Sequence, residues 1–151
     1  MTHEEKAKAL FEEGYNCAQA VTLAFADEMG IDKETAARLA SPFGGGLGRM
    51  REVCGCVSGM AIVAGELCGY SDPEAKEEKA ELYALIQELA GEFKEKNGSM
   101  ICRELLAGIT DDTKPTPEAR TESYYKKRPC ADLAASAAGI LERKLEEKKI
   151  Q

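Results

Sequence analysis

Ala, Leu, Glu and Lys recur at helical spacing along nearly the whole chain, and no sustained alternation of β-branched or aromatic residues appears, so the pattern predicts an all-α fold. Residues 3–13 give a first helix with Ala7, Leu10 and Phe11 on one side, stopped by Gly14. Asn16 caps a second, from Cys17 to Met29, and Asp32 a third that Pro42 closes. A fourth, about residues 53–68, is almost uncharged and reads as the buried central helix. The longest begins near Pro73, carries the stripe Leu82, Leu85, Ile86, Leu89 and Phe93, and ends at Asn97-Gly98. Ser99 starts a short helix, residues 109–118 form a loop rich in Thr, Asp and Pro, and Pro129 opens a last helix after a break. The expectation is one domain over residues 1–151, a bundle of about six to eight helices.

Composition narrows the partners. With a net charge of −7, nucleic acid is disfavoured, and no apolar run reaches the roughly 18 residues of a membrane span. The acidic start lacks a signal core, so a cytoplasmic, reducing setting is expected, in which the six cysteines serve as thiols, metal ligands or a redox couple. An apolar helix face also admits pairing into a homodimer.

Cys17, Cys54, Cys102 and Cys130 each fall at or near the first turn of an expected helix, where free N–H groups and the helix dipole favour thiolate. Cys54 is the strongest candidate, with Arg49 and Arg51 before it; Cys130, behind Lys126, Lys127 and Arg128, is second. Cys56 and Cys68 lie inside the apolar helix and read as core packing, with Cys56 pointing away from Cys54. Gly55 and Gly59, four apart, suit close helix approach. "GGGLG" could cradle an anion, but it lacks the GxGxxG and GxxxxGK[ST] spacings of nucleotide sites. The single histidine, His3, falls at an expected frayed end, which disfavours a Cys-His nucleophile.

The blocks "GYNCAQAV", "FGGGLGRMREVCGCVSGMAIVAG", "CRELL" and "RPCADLAASAAGILE", in this order, resemble the redox-active family named for its cysteine pattern, C_GCAxxG_C_C. The resemblance runs from Gly14 to about Glu142 and places the family's four cysteines on Cys17, Cys54, Cys102 and Cys130. Cys56 stands where the family has alanine. The resemblance implies redox chemistry without a defined substrate or partner, and no CxxCH motif for covalent haem occurs.

Two redox readings stay open. Cys17, Cys54, Cys102 and Cys130 could hold an iron-sulfur cluster or another thiolate-bound metal for electron transfer, or pairs of them could cycle between dithiol and disulfide with an unidentified redox partner. Arg49, Gly55 and Gly59 are the candidate cofactor contacts. The alternatives are a structural four-cysteine zinc module and a helical interaction scaffold without redox turnover.

Overall fold

The computed structural model describes residues 1–150, and among these it contains nine α-helices, one 3-10 turn and no strand. They are α1 (His3–Glu13), α2 (Cys17–Ala24), α3 (Ala26–Met29), α4 (Lys33–Ala40), α5 (Gly55–Cys68), α6 (Lys76–Asn97), α7 (Cys102–Leu105), α8 (Glu122–Lys127) and α9 (Cys130–Ile150), with the 3-10 turn at Ser41–Phe43. The all-α expectation is met. The expected second helix divides at Phe25, which leaves helical geometry (φ −112°, ψ 15°) and seats its buried ring against His3, centroids 4.0 Å apart.

Local signals explain most boundaries. Thr2 and Asn16 form capping boxes with Glu5 and Gln19, each side chain accepting from the N3 amide while the N3 side chain accepts from the cap. Asp32 accepts from the Thr35 amide to start α4, and Thr121 from the Tyr124 amide to start α8. Gly14 and Gly98, both left-handed, close α1 and α6. Two expectations are corrected. Pro73 lies outside the longest helix, which begins at Lys76; and Ser99 accepts from the Ile101 amide in the turn before α7 rather than capping it, Ile101 taking the cap position.

The centre is shared by α2, buried from Ala20 to Ala24, and by α5, where Val57, Met60, Val63 and Ala64 are buried. α1, α4, α5 and α9 pack on α2. The close crossing of α2 and α5 depends on glycine: a Cβ at Gly59 would meet the Val21 Cβ at 2.9 Å, and one at Gly55 the Cys17 Cβ at 3.2 Å. That crossing brings the starts of α2 and α5, and so Cys17 and Cys54, together.

Candidate functional site

Three further devices gather the remaining sulfurs. Residues 51–54 and 100–103 run side by side through a single antiparallel bridge, Val53 to Ile101, with Cys54 N–H donating to the Met100 carbonyl (2.8 Å) and Cys102 N–H to the Glu52 carbonyl (2.6 Å). This pairing sets Cys54 and Cys102 next to each other. Pro129 breaks the chain between α8 and α9 and starts α9 at Cys130. The loop after the 3-10 turn runs left-handed through Gly45, Gly46, Leu47, Gly48 and Arg49, with φ between 54° and 71°. Non-glycine residues adopt this conformation at a cost, and here its result is a tight fold in which a Cβ on Gly46 would meet the Cys102 Cβ at 2.6 Å.

Cys17, Cys54, Cys102 and Cys130 line one cavity of about 430 Å³. All six cysteines are free. Apolar wall is supplied by Phe11, Leu105, Leu106, Tyr124 and Leu133, and polar wall by Gly44 to Gly46, Arg49, Arg51, Arg120 and Arg128. Gly55 lines the cavity; Gly59, one turn on, sits under α2 and does not.

The thiols are not equivalent. Cys17 is held well below the ordinary thiol range, first by a hydrogen bond from Cys130, then by one from Cys56, with Arg120 assisting and burial opposing. Cys130 is correspondingly pushed up, by its bond to Cys17 and by burial. Cys56, fully buried, is also pushed well up by its bonds to Cys17 and Cys54. The shifts favour ionisation at Cys17 over Cys56 and Cys130. Burial raises Cys102, against a hydrogen bond from Arg51 Nη1 at 3.7 Å.

Cys17 is thus the thiol whose surroundings most favour ionisation among those that shift; from the sequence, Cys54 is the first candidate. The two arginines before Cys54 line the cavity but make most of their hydrogen bonds to another loop. Arg49 donates to the carbonyls of Lys114 and Thr116, and Arg51 donates through Nε to the Asp112 carbonyl (2.9 Å). Both strap the loop of residues 109–118 across the cavity. Cys56 is core-buried, as read, but it interacts with Cys17 and Cys54, which push its thiol up, rather than standing apart from them. Lys126 and Lys127 do not line the cavity; Arg128 does.

Sequence reasoning passed over Arg120 and Tyr124. Arg120 donates to the carbonyls of Phe11 and Tyr15 (2.9 Å each) and stacks on the Phe11 and Tyr124 rings, 4.3 and 5.0 Å from their centroids. The signal was weak: an arginine bounding a loop, with aromatic residues shortly after it.

Thiolates suit soft metals, yet among the described residues no three His, Cys, Asp or Glu side chains are arranged to hold one ion. The sulfurs as placed thus do not fit a bound ion. Among the described residues no helix is long and apolar enough to cross a membrane.

A family model described as "Putative redox-active protein (C_GCAxxG_C_C)" matches residues 15–144, so the chain belongs to that family. No curated protein and no solved structure matches the chain.

Proposed function

From membership of this redox-active family, we propose that the chain is a thiol–disulfide oxidoreductase module in which Cys17 is the attacking thiolate and Cys130 the resolving thiol. One observation carries the reading: the lowered thiol is Cys17, and its principal support is the thiol of Cys130 on the same cavity wall.

The chemistry balances with these two residues. The Cys17 thiolate attacks one sulfur of a partner disulfide; a Cys17–sulfur bond forms, the partner's S–S bond breaks, and its second half leaves as thiolate. The Cys130 proton passes to that leaving thiolate, and the Cys130 sulfur attacks Cys17 Sγ. The Cys17–Cys130 disulfide forms as the first half of the partner departs. Two electrons have moved from the protein dithiol to the partner, and an external dithiol reverses the sequence. Cys56, which does not line the cavity, supports the thiolate without resolving it.

Thiol release tests this. Reduced protein given excess of a small disulfide is expected to release two thiols per chain. Cys130→Ser is expected to stop after one, with a mixed disulfide on Cys17, and Cys17→Ser to release none. Equal release from Cys17→Ser and the unsubstituted protein would contradict the reading.

A second reading, an iron-sulfur cluster or other metal held by Cys17, Cys54, Cys102 and Cys130, is favoured by their sharing one cavity. It requires the sulfurs to rearrange. Anaerobic purification with an absorption spectrum and metal analysis separates the two: a brown, metal-bearing protein that loses its metal in Cys54→Ser favours this second reading.

A further inference from the structure

The thiol cavity is ringed by positive charge in a chain whose net charge is −7. Four guanidiniums, Arg49, Arg51, Arg120 and Arg128, line it with a single carboxylate, Glu118. Arg128 is paired with Glu118, and Arg49 has the Asp112 carboxylate at 3.6 Å. Among the described residues, Arg51 and Arg120 meet no carboxylate.

Arg51 is the sharper case. It is 3% exposed, and its Nη2 has no hydrogen-bond partner. Its other two nitrogens reach only neutral acceptors, the Asp112 carbonyl and the Cys102 sulfur. A buried cation left so is costly unless an anion completes it. Arg120 stacks on the Phe11 and Tyr124 rings and donates to two carbonyls; among the described residues, Arg51 has neither an aromatic face nor a carboxylate beside it. Beside it, the N–H groups of Gly45 and Gly46 donate to no backbone carbonyl among the described residues, while their backbones line the same space.

Size and access narrow the ligand. A cavity of about 430 Å³ falls in the range of small-molecule sites. The strap held by Arg49 and Arg51 adds Pro115, Pro117 and Glu118 to its wall. Phe11, Tyr124 and the three leucines suit an aliphatic body.

We propose that this cavity binds a small organic disulfide carrying a carboxylate, with Arg51 receiving the carboxylate while Cys17 attacks the sulfur–sulfur bond. The proposal rests on the thiol–disulfide reading for its chemistry, but the anion site stands on Arg51 alone. The bonds formed and broken are those of the exchange above, so no further reactant is needed.

The test compares three small disulfides on the reduced protein: dithiodipropionate, which is anionic, bis(hydroxyethyl) disulfide, which is neutral, and cystamine, which is cationic. The anionic one is expected to react with Cys17 about tenfold faster than the neutral one, and cystamine slowest. Arg51→Gln is expected to erase that order and Arg51→Lys to keep most of it. Should Arg51→Gln fail to fold, the order in the unsubstituted protein decides. A non-redox arm measures, by calorimetry, binding of the thioether thiodipropionate to Cys17→Ser, and compares it with Cys17→Ser carrying Arg51→Lys. If no disulfide reacts but the thioether dicarboxylate binds, the redox reading falls and the anion site stands. If all three disulfides react alike and the dicarboxylate does not bind, the anion site is overturned and the exchange chemistry survives. Neither reaction nor binding overturns both.

Discussion

Val53 and Ile101 meet in one antiparallel bridge, and this contact places Cys54 and Cys102 on the same wall of the cavity. Gly46, itself buried, packs against this assembly, where an added Cβ would meet the Cys102 Cβ at 2.6 Å and the Glu52 amide nitrogen at 2.7 Å.

Gly46→Ala is therefore expected to cost about 2 to 3 kcal/mol, because it adds left-handed strain to a collision with fixed backbone. Gly48→Ala has the same kind of strain, at φ 54°, but open space around it, so about 1 kcal/mol is expected. Denaturant unfolding of both variants checks the difference. Equal losses would mean that the loop does not press on Cys102.

Cys17 is expected to alkylate at a lower pH than Cys130 or Cys56, since its thiol is lowered by their hydrogen bonds while theirs are raised. The same shift has a stability sign. An acid whose folded pKa is depressed contributes stability above its unfolded pKa, here about 8.5 for a thiol, and loses it as pH falls through the folded value. The advantage of the reduced protein over Cys17→Ser should grow as pH rises towards that unfolded value. A flat or falling difference would place the thiolate elsewhere.

Cys56→Ala restores the family's residue at that position and removes one of the two donors to Cys17. The alkylation profile of Cys17 should move to higher pH, with disulfide formation retained and stability reduced by about 1 to 2 kcal/mol for the small cavity. Loss of two-thiol release in this variant would make Cys56, not Cys130, the resolving residue.

His3 is fixed between Glu28 and Glu142, 2.6 Å from each, and stacked on Phe25. Burial raises the Glu28 carboxyl, but the His3 hydrogen bond and charge hold it below its ordinary value. His3→Ala should cost about 2 kcal/mol near neutrality from lost stacking and hydrogen bonds. The Glu28 part is present above the ordinary carboxyl pKa and fades as pH falls through the lowered one. An unchanged melting temperature would return His3 to a frayed end.

How much was legible follows from what each feature depends on. Caps and stops are local, so Asn16, Asp32, Gly14 and Gly98 announced their helix ends directly. The four family cysteines were legible from helix starts and from the resemblance. Their chemical ranking was not, because it depends on which sulfurs meet: the lowering of Cys17 needs Cys130, far along the chain, and Cys56, in the first turn of another helix. The partners of the cationic neighbours were hidden for the same reason, since Arg49 and Arg51 reach backbone carbonyls in the loop of residues 109–118 and Arg51 also reaches the Cys102 sulfur. The anticipated fraying at His3 failed because both of its carboxylate partners come from distant helices.

The most direct test is peptide mapping of the disulfide formed when reduced protein is oxidised by one equivalent of a small disulfide under metal-free conditions. The account expects a single intramolecular bond, Cys17 to Cys130, with Cys54, Cys56, Cys68 and Cys102 recovered as free thiols. A protein that keeps all six thiols, or that joins a pair excluding Cys17, would contradict it.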